Sequence, residues 1–189
     1  MATQPVTKIT EEEYLRLERA AEYRSEFVGG EIFAVSGGSL THAVLSVNWS
    51  GELRNKLRGR HCIVCSSDAR VRTSNTGSYV YPDVSVVCGK PVMHQGSNDI
   101  LTNPTVVVEV LSPSTSDHDR GEKFDLYREI PSLIEYVLVH ADAVHVDHFA
   151  RQSDGSWIFR EYHGDDSIIA LASISCNVRL GDVYADLPE

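Results

Sequence analysis

Two short runs dominated by valine stand out in the pattern of apolar and polar positions. Residues 80–87 read VYPDVSVV and residues 105–111 read TVVVEVL. Both are rich in β-branched side chains and bounded by Gly, Pro or Asn, which predicts strands covered on both faces. The second run is the most apolar of the chain and predicts the central strand. Each run also carries one acid in its middle, Asp83 and Glu109.

The rest of the pattern predicts alternating helices and hairpins. Thr10 with Glu13 three residues on has capping-box spacing, so a helix is expected through about residue 20, with Tyr14, Leu15 and Leu17 available for burial. YRSEFVGGEIFAV reads as a hairpin turning on Gly29-Gly30. A second helix is expected from Ser39 or Thr41 to Gly59, with Leu40, Ala43, Val44, Val47, Leu53 and Leu57 as its apolar stripe. CIVCSSDARVRT and YVYPDVSVVCG predict two strands joined by the turn-rich SNTGS, and residues 90–103 a surface loop. After the SPSTS break, Asp119 with Glu122 starts a helix expected to reach Glu129, and EYVLVH is a further strand. VHVDHFAR, WIFREYH and SIIAL form an antiparallel run through turns at residues 153–155 and 164–166, and VRLGDVYADL closes the chain. There are no repeats, low-complexity tracts or linkers, so a single domain over residues 1–189 is expected.

Composition narrows the partners. The chain holds 42% hydrophobic residues in 189, enough for a sizeable core. No apolar run approaches the ~20 residues of a membrane span, and the start MATQPVTKITEEEY lacks the pattern of a signal peptide. Four cysteines do not make a disulfide framework, and a cytoplasmic location is expected. The formal charge of −10 argues against non-specific binding of nucleic acid by the whole surface. Against that background Arg54, Lys56, Arg58 and Arg60 form the densest basic cluster, with Arg70 and Arg72 soon after. They read either as a phosphate-contacting edge or as a solvated helix end complementing the helix dipole.

Several other constellations fail on geometry. Cys62 and Cys65 form C-x-x-C without a second pair, and residues three apart on a strand face opposite sides. The same parity separates His145 from His148, so both sets read as core or surface residues. Ser112 and Ser114 lack a G-x-S-x-G elbow, and no phosphate-binding or dinucleotide Gly-rich loop is present. Asp83 and Glu109 remain. A carboxylate buried alone loses several kcal/mol of solvation or shifts its pKa, so each needs a partner. An Arg or Lys pair would serve, and so would one divalent cation shared by both acids.

At Pro82-Asp83, Glu109 and Lys123 the chain resembles the Uma-two family of the PD-(D/E)XK, restriction-endonuclease-like superfamily. The residues that carry the resemblance are VVVEVLSPSTSDHDRGEKFDLYREIPSLIEYVLV, with YPDVSVVCG upstream. The EFVGGEI hairpin, the His42 helix and the closing GDVYADL also fit, so the resemblance covers most of the chain. It implies an α/β (α+β mixed) fold with a central mixed β-sheet flanked by helices and metal-binding acids on adjacent strands. By position, Asp83 matches the first metal-binding acid and Glu109 the second, and the carbonyl of Val110 is an implied metal ligand. The E-x-K pattern would place lysine at position 111, where Leu111 stands. The resemblance selects Lys123, on the following helix, in its place. Glu26 resembles the extra N-terminal acid of the superfamily, with Glu31 as the alternative, and His42 is a candidate contact to a phosphate or to a metal-bound water.

The activity implied is hydrolysis of DNA phosphodiester bonds by a Mg²⁺- or Mn²⁺-dependent endonuclease, with a homodimer favoured because a duplex needs two cuts. Two rivals stand beside it. One is a catalytically silent nucleic-acid-binding or scaffold protein with the nuclease fold, and the other a hydrolase of a smaller phosphoester.

Overall fold

The computed structural model describes residues 8–35, 37–73, 77–111 and 121–188. The chain begins with helix α1 (Glu11–Ala20), whose N-cap Thr10 accepts a hydrogen bond from the Glu13 amide at 3.2 Å. Strands β1 (Ser25–Val28) and β2 (Glu31–Ala34) follow as an antiparallel pair with Val28 opposite Glu31. Only Gly29 and Gly30 lie between them, both at positive φ (60° and 92°), as a two-residue turn of this twist demands.

Helix α2 (Leu40–Lys56) is capped by Ser39, which accepts from the His42 amide. Its buried residues are Leu45, Trp49 and Leu53, continued by Leu57. That is an i, i+4 row. The sequence-based stripe included Leu40 and Val47, which are 68% and 69% exposed. Those two lie on the opposite flank, and Trp49 sets which side packs.

The predicted pair of long strands is four short ones in two sheets. β3 (Cys62–Ser66) pairs with β6 (Val84–Cys88), while β4 (Arg70–Arg72) pairs with β5 (Tyr79–Val80). The valine run at 80–87 therefore changes sheets at Pro82-Asp83, where proline has no N–H for a ladder. The segment expected as a surface loop contributes a further buried strand, β7 (Ile100–Leu101), parallel to β4. The apolar Ile-Leu pair takes the edge that β4 leaves open.

β8 (Val106–Leu111) is followed by α3 (Glu122–Tyr127) and β9 (Glu135–His140), parallel to β8 as a helical crossover allows. The expected start of this helix at Asp119, and Ser112 and Ser114, lie outside the described residues. β10 (His145–Arg151), β11 (Trp157–His163), β12 (Ile168–Leu171) and β13 (Cys176–Arg179) complete the antiparallel run, and α4 (Leu180–Val183) ends it.

The central sheet is mixed, in the order β11-β10-β9-β8-β6-β3. A second sheet runs β2-β1-β5-β4-β7, and β12 and β13 form a separate pair. The central sheet is covered on both faces. Val106, Val108 and Val110 of β8 join the cluster of Leu45, Trp49, Leu53 and the β12–β13 residues Ile169 and Val178. Val107 and Leu111 join Val71, Val80, Leu126 and Tyr127 on the other side. Burial on both faces explains the unbroken apolar run, and the period of two puts Glu109 on the α3 side. Every residue of β8 is buried, Glu109 included at 3% exposure. Among the described residues, no helix is long and apolar enough to cross a membrane.

The cysteines depart from expectation. Cys62 and Cys88, register partners on β3 and β6, form a disulfide, while Cys65 and Cys176 remain thiols. Parity along one strand separates Cys62 from Cys65, but it carries no information about a partner 26 residues away.

Candidate active site

The sheet switch at Pro82-Asp83 delivers Asp83 to the start of β6, beside Glu109 on the neighbouring β8. The two segments are tied reciprocally. The Asp83 amide donates to Glu109 Oε2 at 3.3 Å, and the Val110 amide donates to Asp83 Oδ2 at 2.8 Å. Both acids are thereby fixed at one end of the central sheet by backbone donors.

Three more elements converge there. Lys123, in the first turn of α3, places Nζ 3.3 Å from Glu109 Oε1 and 3.3 Å from Glu26 Oε1. Glu26, from β1 of the second sheet, also accepts from the Tyr81 amide at 3.0 Å. His42, in the first turn of α2, lies with Nε2 3.1 Å from Asp83 Oδ2. Its ring fits because residue 38 is glycine: a Cβ there would stand 2.7 Å from His42 Cγ and Nδ1. The structure thus brings Glu26, His42, Asp83, Glu109 and Lys123 together. Glu31, the alternative to Glu26, pairs across the hairpin with Val28 and has no described contact to the group.

Tyr127 belongs to the same cluster and was not singled out in the sequence. Its hydroxyl donates to Glu109 Oε1 at 2.8 Å. Lys123 and Tyr127 are i and i+4 on one helix, a spacing that puts both on one face, and both reach the same oxygen. That spacing was the available signal. Burial, and then the Glu109 charge, hold the Tyr127 phenol well above its ordinary pKa, so it stays a donor.

Among the described residues the cluster sets three carboxylates against one lysine. Confined to side chains 4–15% exposed, such an excess of negative charge favours a cation. The donors are hard oxygens, the set that suits Mg²⁺ or Mn²⁺, and Val110 is held against Asp83 by its own amide.

A cleft of about 730 Å³ opens onto Asp83 and His42 between α2 and β3, and its lining includes Arg24 and Arg54. Of the basic residues singled out in the sequence, Arg54 is the one that lines this cleft. Lys56 pairs with Glu52 on its own helix at 3.3 Å, and Arg60 donates to the Ser175 carbonyl at 2.7 Å. Arg58 is exposed beyond the end of α2. Arg70 is 6% exposed, donating to the Tyr81 hydroxyl at 2.8 Å and lying 3.6 Å from Glu18. Arg72 pairs with Glu11 at 3.1 Å. Arg24 is isolated in the sequence and gave no cluster to notice; it is held by Asp68 at 3.0 Å.

Comparison with known proteins shows the family and the fold. The sequence profile of the Uma2 family, described as "Putative restriction endonuclease", matches residues 11–180. A Synechocystis sp. protein, "Uncharacterized protein slr1290", is 38% identical over 183 residues, 97% of this chain and 95% of its own. A second from the same organism, "Uncharacterized protein sll1609", is 37% identical over 164 residues, 86% and 93% of the two chains. The crystal structure of "a putative nuclease belonging to DUF820" from Anabaena variabilis superposes with a TM-score of 0.78. It covers 95% of this chain and 99% of that one at 18% identity, a likeness of fold.

Proposed function

This chain belongs to the Uma2 family, and from that premise we propose that it is a metal-dependent endonuclease hydrolysing DNA phosphodiester bonds. The observation that carries the proposal is that Lys123 reaches both Glu109 and Glu26 while Asp83 is tied to Glu109 through its own amide, all at the end of the central sheet.

In this reading Asp83 and Glu109, with the Val110 carbonyl, hold the ion. A bound Mg²⁺ or Mn²⁺ supplies Lewis-acid polarisation of the phosphoryl group and makes water more acidic. The chain's own residues do the rest. Val110 and His42 both engage Asp83 Oδ2 and so fix the Asp83 carboxylate that would hold the ion. Tyr127 fixes the Glu109 carboxylate through Oε1. The Lys123 ammonium orients the attacking water and stabilises negative charge developing on the phosphoryl oxygens. Arg24 and Arg54 bind the phosphates flanking the scissile bond. A homodimer in the cytoplasm, cutting both strands of a duplex, completes the proposal.

One observation favours a second reading. With Arg70, Arg72, Lys56 and Arg60 engaged by internal partners, the cleft offers Arg54 and an Arg24 already paired with Asp68 in about 730 Å³. That dimension also suits a smaller phosphoester.

The test is cleavage of supercoiled, linear and single-stranded DNA with Mg²⁺, Mn²⁺ or EDTA, alongside a chromogenic phosphodiester. Wild type should cut DNA with metal and not with EDTA. Asp83→Asn and Glu109→Gln should lose metal affinity and cleavage together. Hydrolysis of the small ester alone would transfer the site to the second reading. No hydrolysis of either substrate would leave a scaffold with the nuclease fold.

A further inference from the structure

The rim formed by β9, β10 and β11 carries a second cluster, built from a different donor set. His140 ends β9, His145 and Asp147 begin β10, and Glu161 and His163 end β11. Antiparallel pairing puts His145 opposite His163 and Asp147 opposite Glu161. The three imidazoles form a stack, with ring centroids 3.8 Å apart for His140–His145 and 4.1 Å apart for His145–His163.

His145 is the centre. Its Nε2 is 2.9 Å from Asp147 Oδ1 and 3.4 Å from Glu161 Oε1, and His140 Nε2 is 3.3 Å from Asp147 Oδ2. The Nε2 atom of His145 is buried yet makes no hydrogen bond. Two carboxylate oxygens stand within reach of it but off the N–H direction, an arrangement that suits an ion better than a proton. One ligand atom from each of His140, His145 and Asp147 lies within 4.8 Å of the others, and the same holds for His145, Glu161 and His163. Those separations can close around an ion with bonds of about 2.0–2.2 Å.

Ordinary ion pairing explains the cluster less well. Three stacked imidazolium rings would repel one another, and the buried His145 Nε2 makes no hydrogen bond to the carboxylates on either side of it, which leaves it to an ion. The backbone is also braced. The Tyr184 hydroxyl lies 2.8 Å from the His140 carbonyl and 2.6 Å from the His145 carbonyl, pinning the β9–β10 turn that separates the two ligands. Glu161 is half exposed and His163 is exposed, so an ion has a path from solvent.

We propose that His140, His145 and Asp147 form a Zn²⁺ site that staples the ends of β9 and β10, with Glu161 and His163 of β11 on its solvent side. The two triads share His145, whose one ligand atom serves one ion, so the cluster holds one ion. Imidazole-rich donors select zinc, while the all-oxygen donors around Asp83 and Glu109 suit Mg²⁺ or Mn²⁺. The two clusters share no residue, and the zinc site stands independently of the phosphodiester reading.

The test uses full-length protein carrying Asp83→Asn and Glu109→Gln, which removes the two principal ion-holding acids of the first site. Zn²⁺ titrated against a chromophoric chelator should bind at one equivalent, and His145→Ala in the same background should weaken it at least tenfold. X-ray absorption of the zinc-loaded background protein, in which the histidine cluster is intact, should report two or more imidazoles in the shell. That measurement does not depend on how the His145 variant folds. Absence of stoichiometric uptake, unchanged affinity in a folded His145→Ala protein, or fewer than two imidazoles would each overturn the proposal.

Discussion

Two networks of buried charge meet at Tyr81, and they are balanced differently. On one side the Tyr81 hydroxyl donates to Glu18 at 2.8 Å and accepts from Arg70, and Glu18 also accepts from the Ser25 amide. One buried carboxylate faces one guanidinium, which also lies 3.9 Å from the partly exposed Asp99, and neutral donors fill the remaining lone pairs of Glu18. On the other side the Tyr81 amide donates to Glu26, which shares Lys123 with Glu109. Glu109 in turn accepts from the amide of Asp83, so three carboxylates gather near one lysine among the described residues. The balanced network has no use for a cation and serves to fasten α1 and β1 to β4. Among the described residues the other carries an excess of negative charge, which favours a cation. Burial of charge is therefore not the mark of a functional site here; the mismatch in sign is.

The comparison breaks most visibly if the balanced side is disturbed. Arg70→Met should leave Glu18 buried without its cation, at a cost of about 3–5 kcal/mol of stability in urea denaturation. The salt dependence of DNA binding by the folded fraction should not change. Unaltered stability with weakened DNA binding would instead make Arg70 a phosphate contact.

On the unbalanced side Lys123→Met separates the lysine from the acids. It removes a positive charge that repels the ion, so Mg²⁺ affinity should hold or tighten. Single-turnover cleavage should fall about 100- to 1000-fold, the usual cost of one preorganised electrostatic contact. Met is a good helix former, so α3 should tolerate the change. A wild-type rate would assign Lys123 to structure alone and make His42 the next residue to examine.

Why some of this was readable from the sequence, and some not, follows from range. An acid inside a valine run is a local anomaly, so Asp83 and Glu109 are visible without a fold. The caps at Thr10 and Ser39 and the Gly29-Gly30 turn are local too, and the structure has them where the pattern puts them. Register between strands is not local. Parity along β10 separates His145 from His148, and His148 does face away, 3.4 Å from Glu135. It could not reveal His140 and His163 beside His145, because those contacts arise from pairing with β9 and β11. The Cys62–Cys88 link escaped for the same reason. The basic residues failed differently. Clustering along the chain says nothing of which partner each side chain meets, and Arg70 and Arg72 meet acids of α1.

The smallest effect sharpens that last point. Arg54 lines the cleft that holds Asp83, whereas Arg72 lies on the second sheet, paired with Glu11 and stacked on Tyr79. Each phosphate neutralised on duplex DNA releases condensed counterions and adds about 0.9 to the slope of log affinity against log salt. Arg54→Ala should therefore flatten the slope by about 0.9 when binding is measured with Ca²⁺ in place of Mg²⁺ to suppress cleavage. The loss of affinity should be modest and nearly the same for unrelated sequences, because a phosphate contact positions the duplex without reading bases. Arg72→Ala should leave the slope where it is, although it frees Glu11 and loosens the contact of α1 with β4. The reverse outcome, a flattened slope for Arg72 and none for Arg54, would place DNA on the face lined by α1. The acids around Lys123 would then need a substrate that enters the Asp83 cleft without a duplex.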